Sequence, residues 1–224
     1  MFPQTMTVTL VHNSNAILIL YITGMVLTVI HIGKCGGSSV TTLLKSHRIS
    51  HRSVHIDKPE FKRTDKYVIL IRNPISRFIS AFNWRYKLVV TDKSQENRFP
   101  GEKAALITYG SVNNLAENIE IFNKQYIHHI HENIDYYLSD FLKTCKKESI
   151  LGVITQENFD ADVKTVFDIT NNMIHAKNNS DADKYLSAAG YELLKKHLHK
   201  DYECIDKLFA MNCITKEQYD VLSK

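Results

Sequence analysis

The sequence predicts an α/β domain with a mainly parallel central sheet flanked by helices, and three observations carry that prediction. Residues 25–32 (MVLTVIHI), 67–71 (YVILI) and 150–154 (ILGVI) are apolar, largely β-branched runs with the length of strands buried on both faces. Helical signals follow each run, and strands alternating with helices imply parallel pairing through crossovers. The first run ends at a glycine-rich turn, Gly33 to Gly37, placed where such domains bind ligands. With 224 residues, 44% hydrophobic and 23% charged, the chain is long enough for one real core. It lacks the composition of disordered, collagen-like or coiled-coil chains.

From the N-terminus, residues 1–33 contain no Asp, Glu, Lys or Arg, and residues 16–32 are nearly all apolar. Seventeen residues sit at the lower edge for a membrane span, and the first fifteen lack the basic region of a secretory signal. A spanning helix would also deprive the turn at Gly33 of its strand. The run is therefore divided at Thr23-Gly24. Residues 25–32 form the first core strand, and residues 16–22 a short apolar strand or hydrophobic tail. Residues 1–24 are then an extension to a single domain at 25–224. A cytoplasmic location is expected, with a single-pass membrane protein held through residues 16–32 as the alternative.

A helix is expected over residues 38–46, a short strand over 52–56 and a stronger one over 67–71. Asn73 and Pro74 have the character of an N-cap and first helical residue, opening a helix to about Leu88. Residues 91–103 read as a loop. Leu115, Ile119, Phe122, Tyr126 and Ile130 recur at helical spacing and predict one amphipathic helix. The strand at 150–154 is followed by a helix near 160–169. Leu194, Leu198, Tyr202, Ile205 and Leu208 stripe a long closing helix. The four cysteines, Cys35, Cys145, Cys204 and Cys213, form no CxxC pair, which argues against a zinc ribbon or a disulfide framework and for reduced thiols.

Charge is unevenly spread. Residues 34–103 hold 15 Lys and Arg against 6 Asp and Glu, including all seven arginines, whereas residues 104–224 hold 13 against 18. Arginine suits planar, two-pronged recognition of phosphate or sulfate, so this third of the chain points to an anionic ligand. Without further motifs a solvated basic face would be the better explanation.

Two motifs supply the specificity. In His31-Ile-Gly-Lys-Cys-Gly-Gly-Ser-Ser39, glycines allow the backbone to wrap an anion, the following helix offers free N–H groups, and Lys34 adds a charge. Lys34 precedes Gly36 and Gly37, so this is not a Walker A loop, whose lysine follows its last glycine. The plain alternative is a strand-to-helix turn with an incidental lysine. In Arg72-Asn-Pro-Ile-Ser-Arg-Phe-Ile-Ser80, Arg72 emerges at the carboxyl edge of the sheet beside that turn. Arg77, Ser80 and Trp84 share one helical face, and Phe78, Phe82 and Arg85 another. Taken singly, Ser80 would be a packing residue and Arg77 half of a surface ion pair.

Together the motifs resemble those of sulfotransferases that use 3'-phosphoadenosine 5'-phosphosulfate (PAPS), in particular the carbohydrate (heparan/chondroitin-type) branch. KCGGSS is similar to that superfamily's 5'-phosphosulfate loop, and IRNPISRFISAF to its 3'-phosphate motif, with Phe82 where Tyr is frequent. LGVITQENF at 151–159 resembles the late GVTE segment, with Gln156 in place of the acid, and residues 176–202 resemble the closing loop and helix. The resemblance spans about residues 25–210. It implies a P-loop-like three-layer fold and transfer of a sulfuryl group to a hydroxyl, in keeping with a sugar or glycan acceptor. No metal and no nucleic-acid partner belong to that scheme.

The resemblance assigns Lys34 to the bridging oxygen of the donor and the backbone at Gly36 and Gly37 with Ser38 and Ser39 to its 5'-phosphate, with Arg72 and Ser80 gripping the 3'-phosphate, and counts Cys35 among the donor-binding residues of the loop. A base must also take the acceptor's proton. His47, His51, His55, Asp57 and Glu60 lie between the motifs, and His55 is preferred because it closes the short strand over 52–56 and imidazole titrates near neutrality. His128, His129 and His131 lack the spacing to stack as three ligands on one helical face and read as surface or acceptor-facing groups. Two alternatives stand beside the enzyme: a catalytically silent relative that binds a nucleotide or polyanion, and a P-loop nucleotide kinase, which the position of Lys34 disfavours.

Overall fold

The computed structural model describes residues 24–121, 128–170 and 183–224. Four strands, β1 (Val26–His31), β2 (Arg52–Val54), β3 (Asp65–Ile71) and β4 (Ile150–Thr155), form one all-parallel sheet in the order β2-β1-β3-β4. This is the expected α/β architecture. The central pair is apolar throughout because both faces are covered: Val29, Ile30, Val68, Ile69 and Leu70 have no solvent exposure. β3 starts two residues earlier than its apolar run. Asp65 is buried there because Thr28 Oγ1 donates to it at 2.9 Å and Arg52 pairs with it across the sheet.

Crossover helices place the site. α1 (Gly37–Ser46) follows β1, and α2 (Pro74–Tyr86) follows β3 and runs into a π-helical stretch at Lys87–Thr91. Asn73 caps α2 as expected, accepting the Ser76 N–H at 2.9 Å with Pro74 in the first turn. α3 (Glu102–Tyr109) and α4 (Val112–Glu117) follow the loop, then the short helices α5 (His128–His131), α6 (Ile134–Leu138) and α7 (Phe141–Thr144). α8 (Phe159–Phe167) covers β4, and α9 (Ala188–His197), α10 (His199–Ala210) and α11 (Lys216–Leu222) complete the fold. One core packs on the sheet. A second gathers Phe78, Phe82, Leu106, Leu115 and Leu194 beneath α2.

Two expected helices are each divided. α4 ends where the Asn118 side chain donates back to the Asn114 carbonyl and amide oxygens at 2.9 and 3.0 Å, and residues 118–120 are turn rather than helix. Leu115, Ile119 and Ile130 are nevertheless all buried in the second core, while Phe122 and Tyr126 lie outside the described residues. The closing helix breaks at Leu198 (φ −88°, ψ 14°), which is both the end of α9 and the entry to α10. Apolar spacing reports which side chains are buried, and it survives such a break. The segments 16–22 and 176–180 also fall outside the described residues. Among those described, no helix is long and apolar enough to cross a membrane.

Candidate functional site

A cleft of about 1280 Å³ opens at the carboxyl edge of the sheet, with Lys34, Gly36, Arg72, Ser80, His55 and Gln156 on its walls. Gly37, Ser38 and Ser39 line it as well, so both motifs and the preferred base meet one cavity. The topology brings this about: β1 and β3 are neighbours with His31 opposite Leu70, so the turns leaving the two strands lie side by side.

The glycine turn is shaped by contact as much as by flexibility. Gly36 caps α1 in the left-handed region (φ 84°), and a Cβ there would lie 2.5 Å from Gln156 Oε1. A Cβ on Gly37 would fall 1.8 Å from the His31 ring. Ser39 and Val40 donate their N–H groups to the Gly36 carbonyl at 3.0 and 3.1 Å, whereas those of Gly37 and Ser38 head α1 with no acceptor within the helix. Lys34 also has a positive φ, 70°, a conformation that costs a non-glycine residue about 1–2 kcal/mol. Its ammonium lies over the Trp84 ring, 5.0 Å from the centroid.

Cys35 departs from its assignment. Its side chain is fully buried in the sheet core, its thiol is pushed up to about 12 by that burial, and its N–H is spent on the Ile32 carbonyl at 3.2 Å. Cys35 anchors the loop in the sheet core, while its neighbours Lys34 and Gly36 line the cleft.

Arg72 and Arg77 have contrasting surroundings. Arg72 Nε is buried without a hydrogen-bond partner, and Glu157 Oε1 stands 3.9 Å from it. Glu157 accepts the Asn73 N–H at 3.1 Å, and burial raises its carboxyl above the ordinary range. The Asn73 amide in turn donates to the carbonyls of Leu222 and Lys224 at 3.1 and 2.9 Å. Arg77 makes no surface ion pair. It is 1% exposed and donates to the carbonyls of Gly33 (3.1 Å), His129 (3.2 Å), Ile130 (2.7 Å) and Glu132 (2.6 Å), and to Asn133 Oδ1 (2.5 Å). It clamps the glycine turn to the segment at 129–133.

Of the five candidate bases, His55 lines the cleft and the other four do not. His47 turns back to the Leu43 carbonyl and His51 to that of Ile49, while Asp57 and Glu60 are exposed outside it. His55 lies one residue beyond β2, and its Nδ1 is 3.0 Å from the His31 carbonyl. A carbonyl only accepts, so Nδ1 carries the proton and the neutral ring keeps its lone pair on Nε2. Tyr137 donates to the His55 carbonyl at 2.5 Å. Within the histidine trio, His129 lines the cleft and its ring meets Trp84 and Phe99 edge-on, whereas His131 packs beside His197.

Glu157 and Tyr137 were not singled out by sequence. Glu157 had a signal, standing one residue after the Gln156 that replaces the expected acid; Tyr137 had none. Among the described residues no group of three or more His, Cys, Asp or Glu is arranged to hold a metal ion. The chain matches no protein-family model, no curated protein and no solved structure.

Proposed function

We propose that the protein is a sulfotransferase, transferring the sulfuryl group of PAPS to a hydroxyl, in keeping with a carbohydrate acceptor. The observation that carries this reading is the convergence of Lys34, the Gly36-Gly37 turn, Arg72, Ser80 and His55 on one cleft. The cradle suits a phosphorylated donor: the N–H groups of Gly37 and Ser38 head α1 with no acceptor within the helix, and Arg72 holds an unpartnered buried N–H beside the turn.

In that reaction the acceptor hydroxyl gives its proton to His55 Nε2 while its oxygen bonds to sulfur. The bond from sulfur to the 5'-phosphate oxygen breaks, and Lys34 meets the charge left on that oxygen. The products are a sulfate ester and adenosine 3',5'-bisphosphate. Arg72 and Ser80 would read the 3'-phosphate, which ATP lacks.

Thermal unfolding tests donor recognition: adenosine 3',5'-bisphosphate at 100 times its Kd should add about 2.7 kcal/mol of stability, and ATP with magnesium should add little. Stabilisation by ATP alone would overturn the reading. Transfer of radiolabelled sulfate to a panel of sugars then tests turnover, and binding without any transfer marks a silent relative.

A further inference from the structure

His31 has no part in the donor contacts assigned above, yet three features meet on it. It is the last residue of β1, and its carbonyl is the acceptor that fixes the His55 tautomer. Its ring stacks on the His55 ring with centroids 3.9 Å apart and planes inclined by 16°. The edge of the His31 ring fills the space that a Cβ at Gly37 would need.

His55 needs such support. It is exposed and follows a strand of three residues at the sheet edge. The Tyr137 bond fixes its backbone but not its ring. A side chain in that setting exchanges rotamers freely unless a neighbour restrains it. The His31 carbonyl restrains one atom of the ring, and the His31 ring restrains its plane. The His31 ring is itself wedged against the first turn of α1, an element whose position the core fixes through Val40, Leu43 and Leu44.

We infer that His31 is a positioning residue that holds the His55 imidazole in one plane and one tautomer, with Nε2 as its proton acceptor. The inference rests on the reading of His55 as the base of a sulfuryl transfer. It also gives the second glycine of the turn a purpose distinct from phosphate contact, since only glycine leaves room for the His31 ring.

The test compares His31→Ala and His31→Phe with the wild type through three measurements: the 15N chemical shifts of the His55 ring nitrogens, the Kd of adenosine 3',5'-bisphosphate, and kcat. His31→Ala keeps the carbonyl but removes the platform. Its His55 nitrogens should move from a protonated Nδ1 and bare Nε2 toward averaged values, kcat should fall about 10- to 100-fold, and Kd should stay within about 3-fold. His31→Phe restores a flat ring and should recover a pinned tautomer and kcat within about 3-fold of wild type. The inference fails if His31→Ala leaves the His55 spectrum unchanged. It fails equally if His31→Phe is as poor as His31→Ala, because the imidazole itself would then be needed. A wild type with no sulfuryl transfer removes the sulfotransferase reading instead, and the His55 spectrum alone then decides whether His31 holds the ring.

Discussion

Arg72 and Arg77 lie five residues apart in one motif and do opposite things. Arg72 stands at the cleft with a buried N–H that nothing in the protein accepts. Arg77 has every arm of its guanidinium engaged, four of its five acceptors being main-chain carbonyls. A guanidinium saturated by its own protein has nothing left for a ligand, whereas one with an orphaned donor in a cleft awaits an acceptor. Within a single basic string, one arginine therefore holds the site together, while the other faces the cleft beside Glu157 with a donor unused.

The largest expected effect tests Arg77. Arg77→Ala should cost about 3–5 kcal/mol in urea unfolding, because several buried carbonyls lose their donor at once. Arg77→Lys should recover little, as one ammonium cannot reach so many acceptors in a fixed fork. A variant that folds with wild-type stability would break the comparison.

Lys34 lines the cleft with Arg72. Lys34→Ala should lower kcat by about 10²- to 10³-fold with a smaller change in bisphosphate affinity, since its charge matters most as the leaving oxygen becomes negative. Single-turnover kinetics beside calorimetry would separate the two effects. Arg72→Ala should leave the ligand-free melting temperature nearly unchanged and weaken bisphosphate binding by about 2–4 kcal/mol. Adenosine 5'-phosphosulfate, which lacks the 3'-phosphate, should lose much less. Equal losses for both nucleotides would show that Arg72 reads something else.

A further test concerns Asp201, an acid whose field reaches Arg77. It is 1% exposed; Oδ1 accepts the Asp135 N–H at 2.8 Å, and Oδ2 has no partner. Burial raises its pKa to about 8. A carboxyl raised on folding adds stability that is complete below its unfolded value, near 4, and is lost as pH climbs through its folded value. The melting temperature should therefore decline from about pH 4 toward pH 8, by a few degrees for each kcal/mol lost. Asp201→Asn, which cannot ionise, should flatten that decline. An unchanged slope in melting curves across this range would place the loss in another group.

The sheet and the edge at which the cleft opens are legible because they rest on local signals. Three of the four strands are apolar runs, the cap of α2 is an Asn-Pro pair, and the two motifs sit where strands end. What could not be read depends on distant partners. Arg77 looks like any surface arginine until residues 129–133 close over it, some fifty positions downstream. Arg85 is comparable: it is buried by a forked pair with Glu102 at 2.7 and 2.6 Å, across a loop that sequence shows only as polar. Cys35 faces away from the cleft because of the turn's backbone path, which residue types alone leave open. The interruptions at Asn118 and Leu198 are hidden in the sequence because the apolar spacing continues across them.

The bond from the Asn73 amide to the Leu222 and Lys224 carbonyls ties the last turn of the chain to the residue beside Arg72. Removing residues 222–224 would take both acceptors from the Asn73 side chain, so contacts 149 and 151 positions away in sequence bear on the turn that carries Arg72.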